Sequence, residues 1–202
     1  MNTTRMRIAV GVLSAALLAL LLVTLTSGED TAKADGVDRA FTADMVPHHK
    51  SAVEMAEIAK QRSKRPEIQA LSDDIIRTQK EEIGQMRKID SRLADEGEPK
   101  GKLGVGRAMM GMSEDTGSLK TADPFDRAFI DMMIPHHQGA IRMARIELDR
   151  GADGDAMKLA EAIIAAQTRE IEQMNGWRKD WFGGASPAGG VPKGEAARHS
   201  GM

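Results

Sequence analysis

Apolar positions in the first half of the chain recur four and three residues apart, at Phe41, Met45, Ala52, Met55 and Ala59, with His48 in the same register. This is the stripe of a helix with one face turned to a core. At about 100° per residue, Met45 lies near the centre of that face, with His48 and His49 on either side of it. The pattern predicts a first helix to about Arg62 and a second from about Pro66 to Arg92. The inward arc of the second takes in Ile68, Leu71, Ile75, Gln79, Glu82 and Met86. Gln79 and Glu82 are polar residues on an apolar face. With the turn centred near Arg65 and Pro66, antiparallel pairing sets His48 opposite Met86, Ala52 opposite Glu82 and Met55 opposite Gln79.

The pattern is then written a second time. Asp38-Arg39-Ala40-Phe41 returns as Asp126-Arg127-Ala128-Phe129, an offset of 126 − 38 = 88. Without a gap, the same offset carries Met45 to Met133, Pro47-His48-His49 to Pro135-His136-His137, and Met55 to Met143. It also carries Gln79 to Gln167, Glu82 to Glu170 and Met86 to Met174. A repeat of this length marks a duplication, with units over 35–92 and 123–182. In the second unit, Asp123-Pro124-Phe125-Asp126 predicts an N-cap, a proline at the first helical position and an acid at the third. Asp35 and Asp38 hold the equivalent places in the first. Pro47 and Pro135 then fall inside the first helix of each unit, where a proline removes a backbone hydrogen bond and bends the helix. Helices starting near Asp44 and Asp131 are the alternative. Neither hairpin can bury its stripe alone, so the two are expected to pack as an all-α four-helix bundle, histidines and methionines gathered toward one end.

Three segments flank these units. Arg5 and Arg7 precede an uncharged run from Ile8 to Thr26, the order of an export signal over residues 1–28. The run is also long enough for a retained membrane anchor, and Ala32-Lys33-Ala34 resembles a cleavage site. Either way the body is expected outside the cytoplasm, secreted or held at the plasma membrane. The connection over 93–122 is rich in Gly and charge, and its Met109, Met110 and Met112 fit a hydrophobic lid or a supplementary metal site equally well. Trp177, Trp181 and Phe182 should cap the bundle, and residues 183–202 have the composition of a flexible tail.

Composition narrows the chemistry. Fourteen methionines and no cysteine rule out disulfides and thiolate metal sites. A net charge of −2 is not that of a nucleic-acid binder. Thioether and imidazole without thiolate suit monovalent copper, and silver with it; zinc needs only the imidazoles. The candidate ligands are Met45, His48, His49, Met55 and Met86, and then Met133, His136, His137, Met143 and Met174, with Met132 as an extra in the second copy. Glu82 and Glu170 could ligate, or orient an imidazole from behind. Neighbouring histidines point about 100° apart, so one can serve its own hairpin while the other faces the duplicate. A di-iron centre would want an acid three residues before a histidine, and Met45 and Met133 stand there instead. No enzymatic activity is expected.

The run Phe-x-x-x-Met-x-x-His-His-x-x-Ala-x-x-Met-Ala, followed by Gln-x-x-Glu-Ile-x-x-Met, resembles the family numbered 305 among domains of unknown function. The resemblance spans about Asp35 to Phe182 and occurs in both units. It implies a ferritin-like helical bundle, commonly exported, in a family some of whose members bind copper. Onto this chain it carries His48, His49, Met45, Met55 and Met86 and their counterparts at His136, His137, Met133, Met143 and Met174. The proline before each His-His departs from the family pattern. The expected partner is a metal ion, with the membrane added if residues 8–26 stay uncleaved; a homo-oligomer is compatible with the pattern. The competing expectation is a non-catalytic envelope interaction module with structural histidines. Because only neutral imidazole binds metal, affinity should weaken below about pH 6.5.

Overall fold

The computed structural model describes residues 35–112 and 115–194. The apolar run 8–26, the Ala32-Lys33-Ala34 site, His199 and Met202 lie outside the described residues. Four long helices make up the body: α1 Val37–Arg62, α2 Pro66–Asp95, α3 Phe125–Arg150 and α4 Gly154–Phe182. A 3-10 turn, Thr116–Lys120, precedes α3. The described residues contain no strand, and no helix among them is long and apolar enough to cross a membrane. The fold is the all-α bundle of two helical hairpins.

Pro47 and Pro135 both lie within unbroken helices, so the longer helices are the ones that form. Their starts differ from the predicted caps. Pro124 occupies the cap position of α3 and its side chain caps nothing. Asp126, in the first turn, is turned instead to the other hairpin, accepting from Ser63 Oγ at 2.6 Å and pairing with Arg65. In the first unit Gly36 holds the cap position in the left-handed region, and Asp35 accepts from Val37 N at 3.1 Å. Asp38, the counterpart of Asp126, accepts from Ala152 N and Asp153 N at 3.0 and 2.7 Å. Each hairpin thus uses an acid from its first helix to hold the turn of the other.

The turn of the first hairpin is Ser63–Arg65, centred on Lys64 rather than on Arg65 and Pro66. Arg65 is extended, as the residue before a proline prefers. This moves the register. It is His49 that meets Glu82, at 2.8 Å. With the turn at Lys64, His49 stands level with Gln79, and side chains on both helices lean toward their own N-termini. The two side chains therefore converge.

The hairpins meet chiefly through α1 and α3, which run antiparallel. One core joins the N-terminal half of α1 and the C-terminal half of α2 to the C-terminal half of α3 and the start of α4. The other joins the remaining halves and carries Trp177, Trp181 and Phe182 at its edge. The Trp177 and Trp181 rings stack, and Arg65 lies over Trp181. An antiparallel crossing brings His48 and His136, each the twelfth residue of a 26-residue helix, to the midpoint. The histidines therefore form a layer between two cores, not a cluster at one end. On the opposite side α2 and α4 stand apart, leaving an open groove of about 880 Å³ bordered by Arg77, Arg169 and Glu170.

The connection crosses the bundle over α3. Gly139 has the Met110 carbonyl against its Cα, where a Cβ would collide with it. Its counterpart in the first unit is Ser51. Gly183–Gly194, loose by composition, lies back on α3 and α4. Gln138 donates to the carbonyls of Ala188 and Gly190 at 2.9 and 2.7 Å, and Arg145 to that of Pro192 at 2.7 Å. Glycine-rich backbone leaves its carbonyls uncovered, and these long side chains reach them.

Candidate metal centre

Two adjacent histidines on a helix cannot face the same way, and the bundle uses both directions. His49 points into its own hairpin and donates Nε2–H to Glu82 Oε2. His137 does the same toward Glu170, at 2.6 Å. A carboxylate oxygen only accepts, so each Nε2 carries a proton, and in the neutral ring it is Nδ1 that keeps the lone pair. Those Nδ1 atoms are buried, with no hydrogen-bond partner among the described residues. A histidine whose far nitrogen is fixed by a carboxylate is the arrangement that orients a metal-ligating imidazole.

His48 and His136 face each other across the α1–α3 crossing, ring centroids 3.7 Å apart and planes tilted by 35°. Each lies 6.2 to 6.3 Å from the neighbouring histidine of its own helix. His48 donates from Nε2 to the Met110 carbonyl at 2.8 Å, which leaves its Nδ1 free. His136 has no partner on either nitrogen among the described residues. Burial, and after it the neighbouring His49, pushes His48 down to about 3. Burial followed by His48 holds His136 well below the ordinary imidazole range. Both rings are therefore neutral at physiological pH, the state in which imidazole is a ligand.

The six inward methionines are fully buried. They divide into Met45, Met86 and Met143 in one core and Met55, Met133 and Met174 in the other. The sequence alone grouped Met55 with Met45 and Met86. The antiparallel crossing exchanges the outermost methionine of each repeat, so each trio takes two from one hairpin and one from the other. Gln79 and Gln167, one turn before the two glutamates, are also buried with their Oε1 atoms unpartnered. Among the described residues no three His, Asp or Glu side chains gather as a metal-holding group. The buried donors present are thioether sulfur and imidazole nitrogen. That donor set fits a soft monovalent ion better than zinc.

Two features of the structure escape the sequence pattern. One is the Met110 carbonyl on His48, a backbone atom from a stretch without periodicity; the glycine that replaces Ser51 at position 139 is its only trace. The other is Glu147, fully buried within α3. Burial, and then the carboxylate of Asp38, raises it to about 9. Its counterpart in the first unit is Ala59, so the repeat gives no warning of it.

A bundle of two antiparallel hairpins, with four buried imidazoles layered between methionine-bearing cores, defines a helical protein built around soft donor atoms. The chain belongs to the family described as domain of unknown function, DUF305, whose model matches residues 38–199. Its similarity extends to solved structures. CopM in its silver-bound form is 36% identical, covering 72% of this chain and 97% of that one, with a TM-score of 0.62. CopM in its Cu(I)-bound form matches at the same identity and TM-score, covering 98% of that chain. A DUF305 protein from Streptomyces coelicolor, described as a candidate secreted protein, is 29% identical with a TM-score of 0.63, covering 76% of this chain and 98% of that one. No curated protein matches the chain.

Proposed function

We propose that this protein is an exported, non-enzymatic binder of monovalent copper that sequesters the ion or hands it on outside the cytoplasm. The observation that carries this reading is the layer of four buried imidazoles, each with at least one nitrogen unpartnered among the described residues, between two buried methionine trios. An unpartnered buried polar atom is costly unless something occupies it. Imidazole nitrogen and thioether sulfur together favour Cu(I), and silver shares that preference. The copper and silver forms of CopM support the same chemistry in a related bundle.

In this reading Nδ1 of His49 and His137 binds the ion, with Glu82 and Glu170 setting the tautomer from behind. His48 and His136 join the two halves across the crossing. Met45, Met86 and Met143, and Met55, Met133 and Met174, supply sulfur from either side. Titration with Cu(I) under reducing conditions, against a chromophoric competitor, tests it. Changing His48, His49, His136 and His137 together to alanine should abolish tight binding. Equal affinity in parent and variant would overturn the assignment.

A further inference from the structure

A second feature opens beside the layer and shares His136 with it. Between α1, α3 and the connection is a cavity of about 160 Å³, lined by Met55, Met112, Met132 and His136, with the exposed Arg107 and Asp115 at its rim. The volume holds a small ion with a few small ligands or waters. Three thioethers and an imidazole are a complete donor set for a soft monovalent ion. His136 is 2% exposed, and it alone of the four histidines has both nitrogens without a partner among the described residues.

The cavity breaks the repeat. The counterpart of Met132 is Asp44, by the offset 132 − 88 = 44, and Met112 comes from the unrepeated connection. The counterpart of His136 is His48, whose Nε2 is taken by the Met110 carbonyl. The two equivalent histidines therefore differ: the connection occupies Nε2 of His48, while His136 keeps both nitrogens unpartnered among the described residues and lines a methionine-bearing opening. Met112 and Met132 are only half-buried, and although Met132 packs against the edge of the second core, both line the cavity.

We infer that Met55, Met112, Met132 and His136 form a separate binding site for a soft monovalent cation, Cu(I) or Ag(I), reached from the surface. The site rests on the soft-metal reading of the histidine layer and adds one ion to it, one imidazole away from the layer through the His48–His136 contact. Met55 and His136 then serve the cavity as well as the layer.

Silver binding by the full chain tests this, counted by titration and followed by NMR of methyl-labelled methionine. In the unmodified protein, the Met112 and Met132 methyl signals should shift as silver is added. M112L/M132L conserves the packing volume and should bind one silver ion fewer than the parent. A variant with His48, His49 and His137 changed to alanine, His136 kept, should retain one. Unmoved Met112 and Met132 signals, or an unchanged silver count in M112L/M132L, would overturn the cavity site while leaving the layer standing. A parent that takes up no silver would overturn both. The methyl signals decide the matter even if a variant does not fold.

Discussion

At the scale of single residues, the candidate site is a set of tautomers fixed by their surroundings. Glu82 and Glu170 each pin Nε2–H of a histidine, and a free Nδ1 is the consequence. If that pinning serves metal binding, removing the acceptor releases the ring to rotate and to exchange tautomers. E82A and E170A should then each weaken Cu(I) or Ag(I) affinity by about 10- to 100-fold. Both carboxylates are partly solvated, with side chains 15% and 17% exposed, so their loss should leave the fold intact. Competition with a chelator, beside a thermal melt of the metal-free protein, separates the two effects. An unchanged affinity would make the carboxylates packing partners only. The expectation of affinity falling away at pH 6.5 also changes at this scale. His48 is held neutral down to about 3 by burial, so its contribution should persist well into the acid range.

At the scale of elements, the two hairpins are latched by an exchange of acids that duplication made reciprocal. Asp38 is buried and accepts from two backbone N–H groups at the start of α4, groups that α4 cannot satisfy internally. D38A should therefore cost about 1–3 kcal/mol in denaturant unfolding, whereas D126A, which removes a carboxylate that is itself only half-buried, should cost less. G139A should drive a Cβ into the Met110 carbonyl, displacing the connection and costing about 1–3 kcal/mol. A G139A variant as stable as the parent would remove the connection from the account of the site. These latches also mark where sequence reasoning stops. The helices, their internal prolines and the inward histidines were legible, because period and duplication both report on local geometry. The reciprocal acids sat in view as Asp38 and Asp126, but a first-turn acid reads as a helix-start signal, and nothing local says that it faces another chain segment. The methionine trios were misgrouped for the same reason: which half of α3 meets which half of α1 depends on the direction of their crossing, and a repeat does not state a direction. The pairing read from the sequence sets Ala52 opposite Glu82, whereas the turn at Lys64 moves the register by about three residues and it is His49 that meets Glu82.

At the scale of the whole molecule, the buried groups oppose one another across the pH range, and the sign of each follows from which state holds the proton. His48 stays neutral to about 3 in the folded protein but titrates near its ordinary 6.5 when unfolded. Between those values the unfolded chain binds a proton that the folded one refuses, so stability is lost as pH falls from 6.5. His136 acts in the same direction. Glu147 does the reverse. It keeps its proton to about 9 in the folded state and releases it near 4.5 when unfolded, so its contribution is full below 4.5 and is lost as pH rises toward 9. Glu98, also raised by burial, adds to that side. Between 4.5 and 6.5 two imidazoles outweigh the Glu147 carboxyl, so stability should climb to a maximum near pH 6.5 and decline beyond it. One proton is worth at most about 1.4 kcal/mol per pH unit, and the alkaline slope should approach that figure if Glu147 dominates it. E147Q keeps the shape and the hydrogen but cannot ionise. It should flatten the decline between pH 6.5 and 9, raising the melting temperature at pH 8.5 by at least about 2 °C, while the acid limb stays where the histidines set it. A variant that melts with the parent's alkaline slope would place the titrating group elsewhere.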